Sequence, residues 1–313
     1  MRKISVAVVG SGPVGTAIAL ALQGKQFAVT MIAERLPGEG LTGDLAAGIG
    51  CVFKSSSQRV ASLVLDSYPT WMELASDPDC SAVAETRLLT VTESTDPPWA
   101  SRVSNFARLD DRRAAYLTYA FDPLELGKWR LDQFQHHQGT IEHRPLSADE
   151  VQLLRGGASL PGFAYTVVTI GLALRAMRPE LGLYPVRGLL VHFPPAAETH
   201  SFTDEDACSC AISRPNGLVI GATFDRHVET CSNDEQLSIG ERIVADANTR
   251  FGLTLNFDTR TRITVGYRPA VGGDLVLELG ERVAWVNGLG GQGWVTGPAL
   301  SQLVATHVKE GIA

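Results

Sequence analysis

The run Ile4–Val9 passes directly into Gly10-Ser-Gly12-Pro-Val-Gly15, and this junction constrains the fold more than any other part of the chain. The apolar run reads as a buried strand, the glycines as the tight turn after it, and Thr16–Leu22 as the helix that leaves the turn. Gly10 permits the turn, Gly12 lets a diphosphate approach the backbone, and Gly15 lets the helix pack close to the strand. Ser11, Pro13 and Val14 complete the cradle. The helix N-terminus offers free N–H groups and a partial positive charge to phosphates. A second strand, Ala28–Ala33, follows at βαβ distance and ends at Glu34, nineteen residues after Gly15. A carboxylate at that point accepts hydrogen bonds from the adenosine ribose hydroxyls. The succession of strand, turn, helix, strand and acid predicts a dinucleotide-binding unit rather than a chance glycine-rich turn.

A chain of 313 residues is long enough for one large or two moderate domains. The net charge of −7 comes without a basic stripe, so nucleic acid is not an expected partner. No apolar stretch reaches membrane-spanning length, and Met1-Arg-Lys runs straight into the first strand without a signal-peptide core. A cytoplasmic protein with no membrane partner is expected, and a homo-oligomer is left open. The cysteines Cys51, Cys80, Cys208, Cys210 and Cys231 are odd in number and scattered, which predicts reduced thiols. Cys208-Ser-Cys210 is too close for a zinc knuckle, the histidines form no ligand pattern, and no metal site is expected.

Along the chain, residues 55–76 read as a helix interrupted near Pro69, and residues 77–110 as short strands with turns at Asp77-Pro78 and Pro97-Pro98. Asp122 is a good N-cap for a helix reaching about Gln138, with Pro123 in its first turn and Glu125 at the capping-box position. Strands are expected at 140–146, 165–170, 186–192, 218–224, 262–267 and 282–286, and helices at 234–251 and 297–309. Nucleotide-binding elements stand at both ends, which implies interleaved rather than consecutive domains.

Two further segments separate flavin from nicotinamide. Thr166-Val-Val-Thr-Ile-Gly171 resembles the strand ending in A-T-G of flavin oxidoreductases, and Trp285–Thr296 resembles their closing flavin segment. A helix N-terminus there would stabilise negative charge at the pyrimidine end of reduced flavin. The chain is similar to the D-amino-acid oxidase and glycine oxidase family of FAD enzymes. Four blocks carry the resemblance: Gly10–Gly15 with Glu34-Arg35; Thr42–Ile49; Ser213-Arg-Pro-Asn-Gly-Leu-Val-Ile-Gly-Ala-Thr-Phe; and Gly266-Tyr-Arg268-Pro269 with Asn287–Thr296. It is patchy over nearly the whole chain and weakest at 55–115 and 195–208.

The resemblance implies an α/β fold in which a Rossmann-type FAD-binding domain (1–54, 139–183 and 270–313) interleaves with an antiparallel-sheet substrate domain (55–138 and 184–269). It implies non-covalent FAD held by Gly10–Gly15, Glu34, Arg35, Asp44, Ala46, Ala47, Gly48, Ile49, Leu146, Gly171, Gly290, Gly291, Gln292, Gly293, Trp294 and Val295. Arg268 is the expected catalytic-site residue, because a guanidinium's planar fork matches a substrate carboxylate bidentately and keeps its charge. Arg187 is given a structural role. Where the family usually carries a tyrosine that touches the carboxylate, this chain has Cys210. Cys210, Cys51 and Tyr267 are candidates for the pocket, with an inert core thiol the alternative for Cys51. The expected activity is oxidation of a small amine or amino acid to an imine by hydride transfer to flavin N5, with O2 as acceptor giving H2O2. The alternatives are a flavin-binding subunit without turnover and an NAD(P)-dependent oxidoreductase.

Overall fold

Strands and helices alternate at the start of the chain: β1 (Ser5–Val9), α1 (Pro13–Gly24) and β2 (Ala28–Ala33). A 3-10 turn (Thr42–Leu45) follows, then α2 (Gln58–Asp66), α3 (Tyr68–Ser76), β3 (Val83–Val91), β4 (Ser104–Arg108), β5 (Arg113–Phe121), α4 (Pro123–His136) and β6 (Thr140–His143). The second half holds α5 (Ala148–Arg155), β7 (Tyr165–Val168), α6 (Leu174–Met177), β8 (Tyr184–Phe193), β9 (His200–Asp204), β10 (Ser209–Arg214), β11 (Gly217–Gly221) and β12 (Asp225–Arg226). It closes with α7 (Asn233–Phe251), β13 (Arg262–Ala270), β14 (Val276–Leu279), β15 (Val283–Asn287) and α8 (Gly293–Ile312). This computed structural model describes residues 3–51, 57–91, 97, 99–195 and 200–312. The expected helix start at residue 55, and Pro98, lie outside the described residues.

The first sheet runs β14-β15-β7-β1-β2-β6, parallel throughout except for β14 at its edge. The chain leaves β1 for β2 on one side and returns to β7 on the other, so the strand order reverses beside the C-terminal end of β1. Ligands bind at such a switch point in open α/β sheets. Both faces are covered, which explains why these strands read as continuous apolar runs. On one face Val6, Val8 and Val167 pack with Ile18 and Leu22 of α1 and Leu300 and Val304 of α8. On the other, Ala7, Val9 and Val168 pack with Leu154 and Leu174.

The second sheet runs β12-β8-β11-β10-β9-β3-β5-β4, with β13 on the free side of β8. Its pairings are antiparallel except that of β3 with β9. Helix α7 covers one face, where Ile243, Val244 and Ala247 meet Leu189, Val191, Ala211 and Ile220.

Several boundaries differ from the sequence expectation. Residues 83–91 form one long strand rather than short ones, because β5 pairs with all of it. The 140–146 strand stops at His143, where its partner β2 ends at Ala33. Strand β11 stops at Gly221, and Asp225-Arg226 resume pairing with β8 as β12. Helix α8 begins at Gly293, four residues before the expected start, and carries Pro298 inside it. Pro69 does divide two helices, by standing in the first turn of α3. The Asp122 cap holds, with Oδ1 accepting from Glu125 N at 2.9 Å. Helices α2 and α4 contribute Val60, Leu63 and Phe134 to the core of the parallel sheet, and Val64, Leu65 and Leu126 to a cluster with Tyr119 and Phe121 of the antiparallel one.

Candidate active site

The turn after β1 is shaped by contact with Thr169. Gly10 has φ +104°, and a Cβ there would lie 2.7 Å from Thr169 O. At Gly15 a Cβ would stand 2.0 Å from Gly10 O. Thr169 Oγ1 in turn donates to Val9 O at 3.0 Å. These two glycines are required by the protein's own packing. Gly12 differs: nothing lies within 4 Å of where its Cβ would be, and it caps α1 without a side-chain hydrogen bond. The open space and unsatisfied N–H groups at Gly12 suit a diphosphate. Pro13 removes one donor from that first turn. Ser11 Oγ donates to Arg35 O, which ties the turn to the end of β2. The Glu34 side chain is exposed there, and its carboxylate has no side-chain partner among the described residues. Arg35 Nη1 donates to Gly40 O at 3.2 Å.

Residues 42–51 then cross the second sheet. Asp44 Oδ2 accepts from Gly38 N and Leu41 N, both at 3.0 Å, so its carboxylate organises its own loop; burial holds its pKa above the usual value. Ala46 O accepts from Arg214 Nη1 at 3.3 Å. Gly48, at φ +77°, lies so close to β5 that a Cβ would meet Phe121 O at 2.0 Å. Ile49 bridges to Ala120, and Ala47 and Ile49 pack on Cys210 and Ile212. At the C-terminal end Gly290 N donates to Pro269 O at 2.7 Å, and Gly293 starts α8 beside Val14 of α1. The N-termini of α1 and α8 are thus neighbours at the switch point. Together, the open Gly12 turn, the free Glu34 and these helix ends fit FAD.

Strand register decides which side chains share a face, because directly opposed residues point the same way and neighbours along a strand alternate. Arg268 opposes Val186, Gly266 opposes Gly188, Leu190 opposes Gly221, and Gly221 opposes Cys210. Arg268 and Cys210 therefore lie on one face, turned away from α7. The guanidinium is held by three backbone carbonyls. Nε donates to Val186 O at 3.4 Å, and Nη2 donates to Arg187 O at 3.2 Å and to Thr223 O. The Phe224 ring stacks beneath it, 4.2 Å from Cζ. Both Nη2 hydrogens and Nε–H are engaged, and Nη1 is the nitrogen left, facing Gly291. Of the three guanidinium nitrogens, Nη1 is the one that meets no carbonyl among the described residues. No carboxylate pairs with Arg268 among the described residues, and burial pulls its pKa down to about 10.

A family model for FAD-dependent oxidoreductases, DAO, matches residues 5–307. The chain belongs to that family. No curated protein matches the sequence. Among solved structures it is similar to iminodiacetate oxidase from Chelativorans sp. BNC1, at 17% identity and TM-score 0.73 over 97% of this chain and 95% of that one. Glycine oxidase from Bacillus cereus ATCC 14579 gives 16% and 0.71 over 98% and 95%. L-alpha-glycerophosphate oxidase from Mycoplasma pneumoniae, solved with FAD bound, gives 12% and 0.71 over 99% and 95%.

As a DAO-family oxidoreductase the protein uses FAD, which when bound supplies the electron acceptor; the side chains hold and orient. Gly171 lies at the end of β7 with φ +60°, and its carbonyl accepts from Asn287 Nδ2 at 2.9 Å. Leu146 packs under the parallel sheet. Trp294 and Val295 are buried in a core cluster with Trp71 and Phe121, so only their backbone is available to a cofactor. Gln292 O accepts from Thr296 Oγ1 at 2.7 Å within the first turn of α8. Cys51 packs with Leu88 and Tyr116, and burial pushes its thiol well up. Burial likewise pushes Cys210 up to about 12, the nearby Arg268 opposing only in part.

Tyr267 is not brought together with Arg268: one residue away, it points to the opposite face, opposed to Arg187. Arg187 there pairs with Glu235 at 2.6 Å and Asp225 at 2.9 Å, the structural role expected of it. Sequence reasoning missed Gly188, which acts by the space it leaves, the backbone carbonyl of Thr223, and the hydroxyl of Thr169, none of which stands in a residue pattern that announces it. Arg214 stood in a recognised block without a role. It reaches Ala46 O and His192, whose Nδ1 lies 3.4 Å from Arg214 Nη2.

Proposed function

We propose that this FAD-dependent oxidoreductase oxidises the C–N bond of a small amine or amino acid carrying a carboxylate. The observation that carries the reading is Arg268: a half-buried guanidinium, fixed by three carbonyls, with no carboxylate paired to it among the described residues. A partly desolvated cation without a counter-ion is unfavourable, and a substrate anion beside it would offset that cost. Nη1 would hold the substrate carboxylate beside Gly291. When bound, FAD would accept the hydride of the neutral amine's α-C–H; the iminium left behind would lose a proton to give the imine, and O2 would take the two electrons with two protons to give H2O2. Orientation and exclusion of water supply most of the rate, so the site needs no strong base.

In this reading FAD sits with the segments of the parallel sheet, α2 and α4 included, and the substrate lies against the Arg268 face of the antiparallel sheet. The iminodiacetate and glycine oxidases among its structural neighbours support an amino-acid-like substrate. The test is anaerobic titration of the yellow protein with glycine, N-methylglycine, D-amino acids, iminodiacetate and cyclic imino acids. Bleaching of the flavin by one of them, with H2O2 formed on admitting air, is expected. A flavin that none of them bleaches would favour the non-catalytic flavin-binding alternative.

A further inference from the structure

On the reading proposed above, three segments face FAD, and they meet on their far side around one buried arginine. Arg130 lies in α4 and is 3% exposed. Its Nη1 donates to Pro13 O at 3.2 Å, in the first turn of α1. Its Cζ lies 4.9 Å from the ring centroid of Trp294, in the first turn of α8, and 5.8 Å from that of Trp71. Trp294 Nε1 donates to Gly43 O at 2.8 Å, in the turn that leads into Ala46–Ile49. Gly43 closes the ring on Pro13: a Cβ there would stand 2.5 Å from Pro13 Cδ. Phe121, at the end of β5, stacks on Trp71 at 4.7 Å and leans on Trp294 at 5.6 Å.

Pro13, Gly43 and Trp294 each belong to a different wall of the cofactor cradle. The phosphate turn is one wall, the loop along the flavin another, and the pyrimidine-end helix the third. Arg130 touches two of them directly and the third through the Trp294 indole. No carboxylate compensates it among the described residues. An apolar side chain of similar size would fill the space without the desolvation penalty. What it would not supply is the donor to Pro13 O and the cation held over the indole face, which together fix the separation of α1 and α8.

We propose that Arg130 is a positioning residue that sets the spacing of the three FAD-facing segments without itself touching the cofactor. Binding of FAD and the order of this cluster are then coupled, each favouring the other.

The experiment prepares Arg130→Met, Arg130→Lys and Trp294→Phe, strips FAD, and titrates it back while following flavin fluorescence and absorbance. Thermal midpoints are taken for each protein with and without FAD. Loss of one charge-assisted hydrogen bond and the ring contact should weaken FAD binding by about tenfold or more in Arg130→Met. The rise in midpoint on adding FAD should shrink accordingly, with the apoprotein midpoint moving much less. Arg130→Lys should recover part of the affinity, because an ammonium keeps the cation over the indole. Trp294→Phe keeps a ring but loses the bond to Gly43, and should weaken FAD on its own even where Arg130→Met does not fold. Unchanged FAD affinity in the folded variants overturns the proposal. So does an equal loss of stability with and without FAD, which is the mark of a purely structural residue.

Discussion

Gly188 leaves the space that the guanidinium of Arg268 occupies. A Cβ at Gly188 would stand 2.6 Å from Arg268 Nη2 and 2.8 Å from Cζ. The two residues sit on adjacent strands, two register positions apart, on the face turned away from α7. The arginine lies flat over this glycine with its Nη2 end between the carbonyls of Arg187 and Thr223.

Gly188→Ala should therefore move Arg268 without removing it. Displacing charge-assisted hydrogen bonds costs about 1.5–3 kcal/mol, or roughly 10–100-fold in KM for a carboxylate substrate. Flavin content should stay near that of the parent. Steady-state kinetics with the substrate found by flavin bleaching checks this, and an unchanged KM would detach Arg268 from substrate binding.

Gly15→Ala should abolish FAD retention. The new Cβ would meet the Gly10 backbone at 2.0 Å, where no side-chain rotation relieves it. The turn must open, and α1 loses its place behind β1. The ratio of flavin to protein absorbance after purification is the measurement, with a colourless protein expected.

Arg187→Met should act on stability rather than chemistry. The substitution leaves Asp225 and Glu235 without their shared guanidinium. Both acids are partly exposed, so a loss of about 1–3 kcal/mol is expected, below that of a fully buried pair. Urea unfolding should register it, while FAD affinity and KM stay close to the parent values.

His192 should lend the protein a pH-dependent stability. Burial, with Arg214 and Arg262 nearby, pushes its pKa down to about 4. An unfolded histidine titrates near 6.5. Between these values the unfolded chain binds a proton that the folded chain refuses, so stability is lost as pH falls through the window. The slope from this one group reaches at most about 1.4 kcal/mol per pH unit. Comparing urea midpoints at pH 4.5 and 7 for the parent and His192→Gln isolates it. The variant should show the shallower dependence.

Thiol labelling should follow burial. Cys51 and Cys210 are buried with pKa values pushed up, whereas Cys208 and Cys231 are partly exposed. Iodoacetamide at pH 8, read by peptide mass spectrometry, should modify Cys208 and Cys231 well before the other two. Early labelling of Cys210 would mean that the Arg268 face is open to solvent.

The nucleotide-binding start was legible because each requirement is local. A buried parallel strand must be apolar, a turn packed against Thr169 must have glycine at 10 and 15, and a helix N-terminus left for phosphate must lack a capping side chain. The same holds for Asp122-Pro123, which starts α4 by short-range hydrogen bonding alone. The helix interrupted at Pro69 was likewise visible from one residue. The family resemblance marks Arg268 as the residue expected to meet the substrate.

Which way a side chain faces was decided by pairing across strands distant in sequence. Tyr267 and Arg268 are neighbours in the chain, yet the register of β13 on β8 sends them to opposite faces. Arg268 reads as a free fork until Val186, Arg187 and Thr223 bring their carbonyls to it and leave Nη1. Cys210 joins it only through β11, and Arg130 meets Pro13 only when α4 packs on α1. The sequence by itself determined the local elements, the cofactor class and the residue types of the site. The tertiary structure alone decided their faces, partners and free hydrogens, because those depend on strand register and helix packing between segments far apart in the chain.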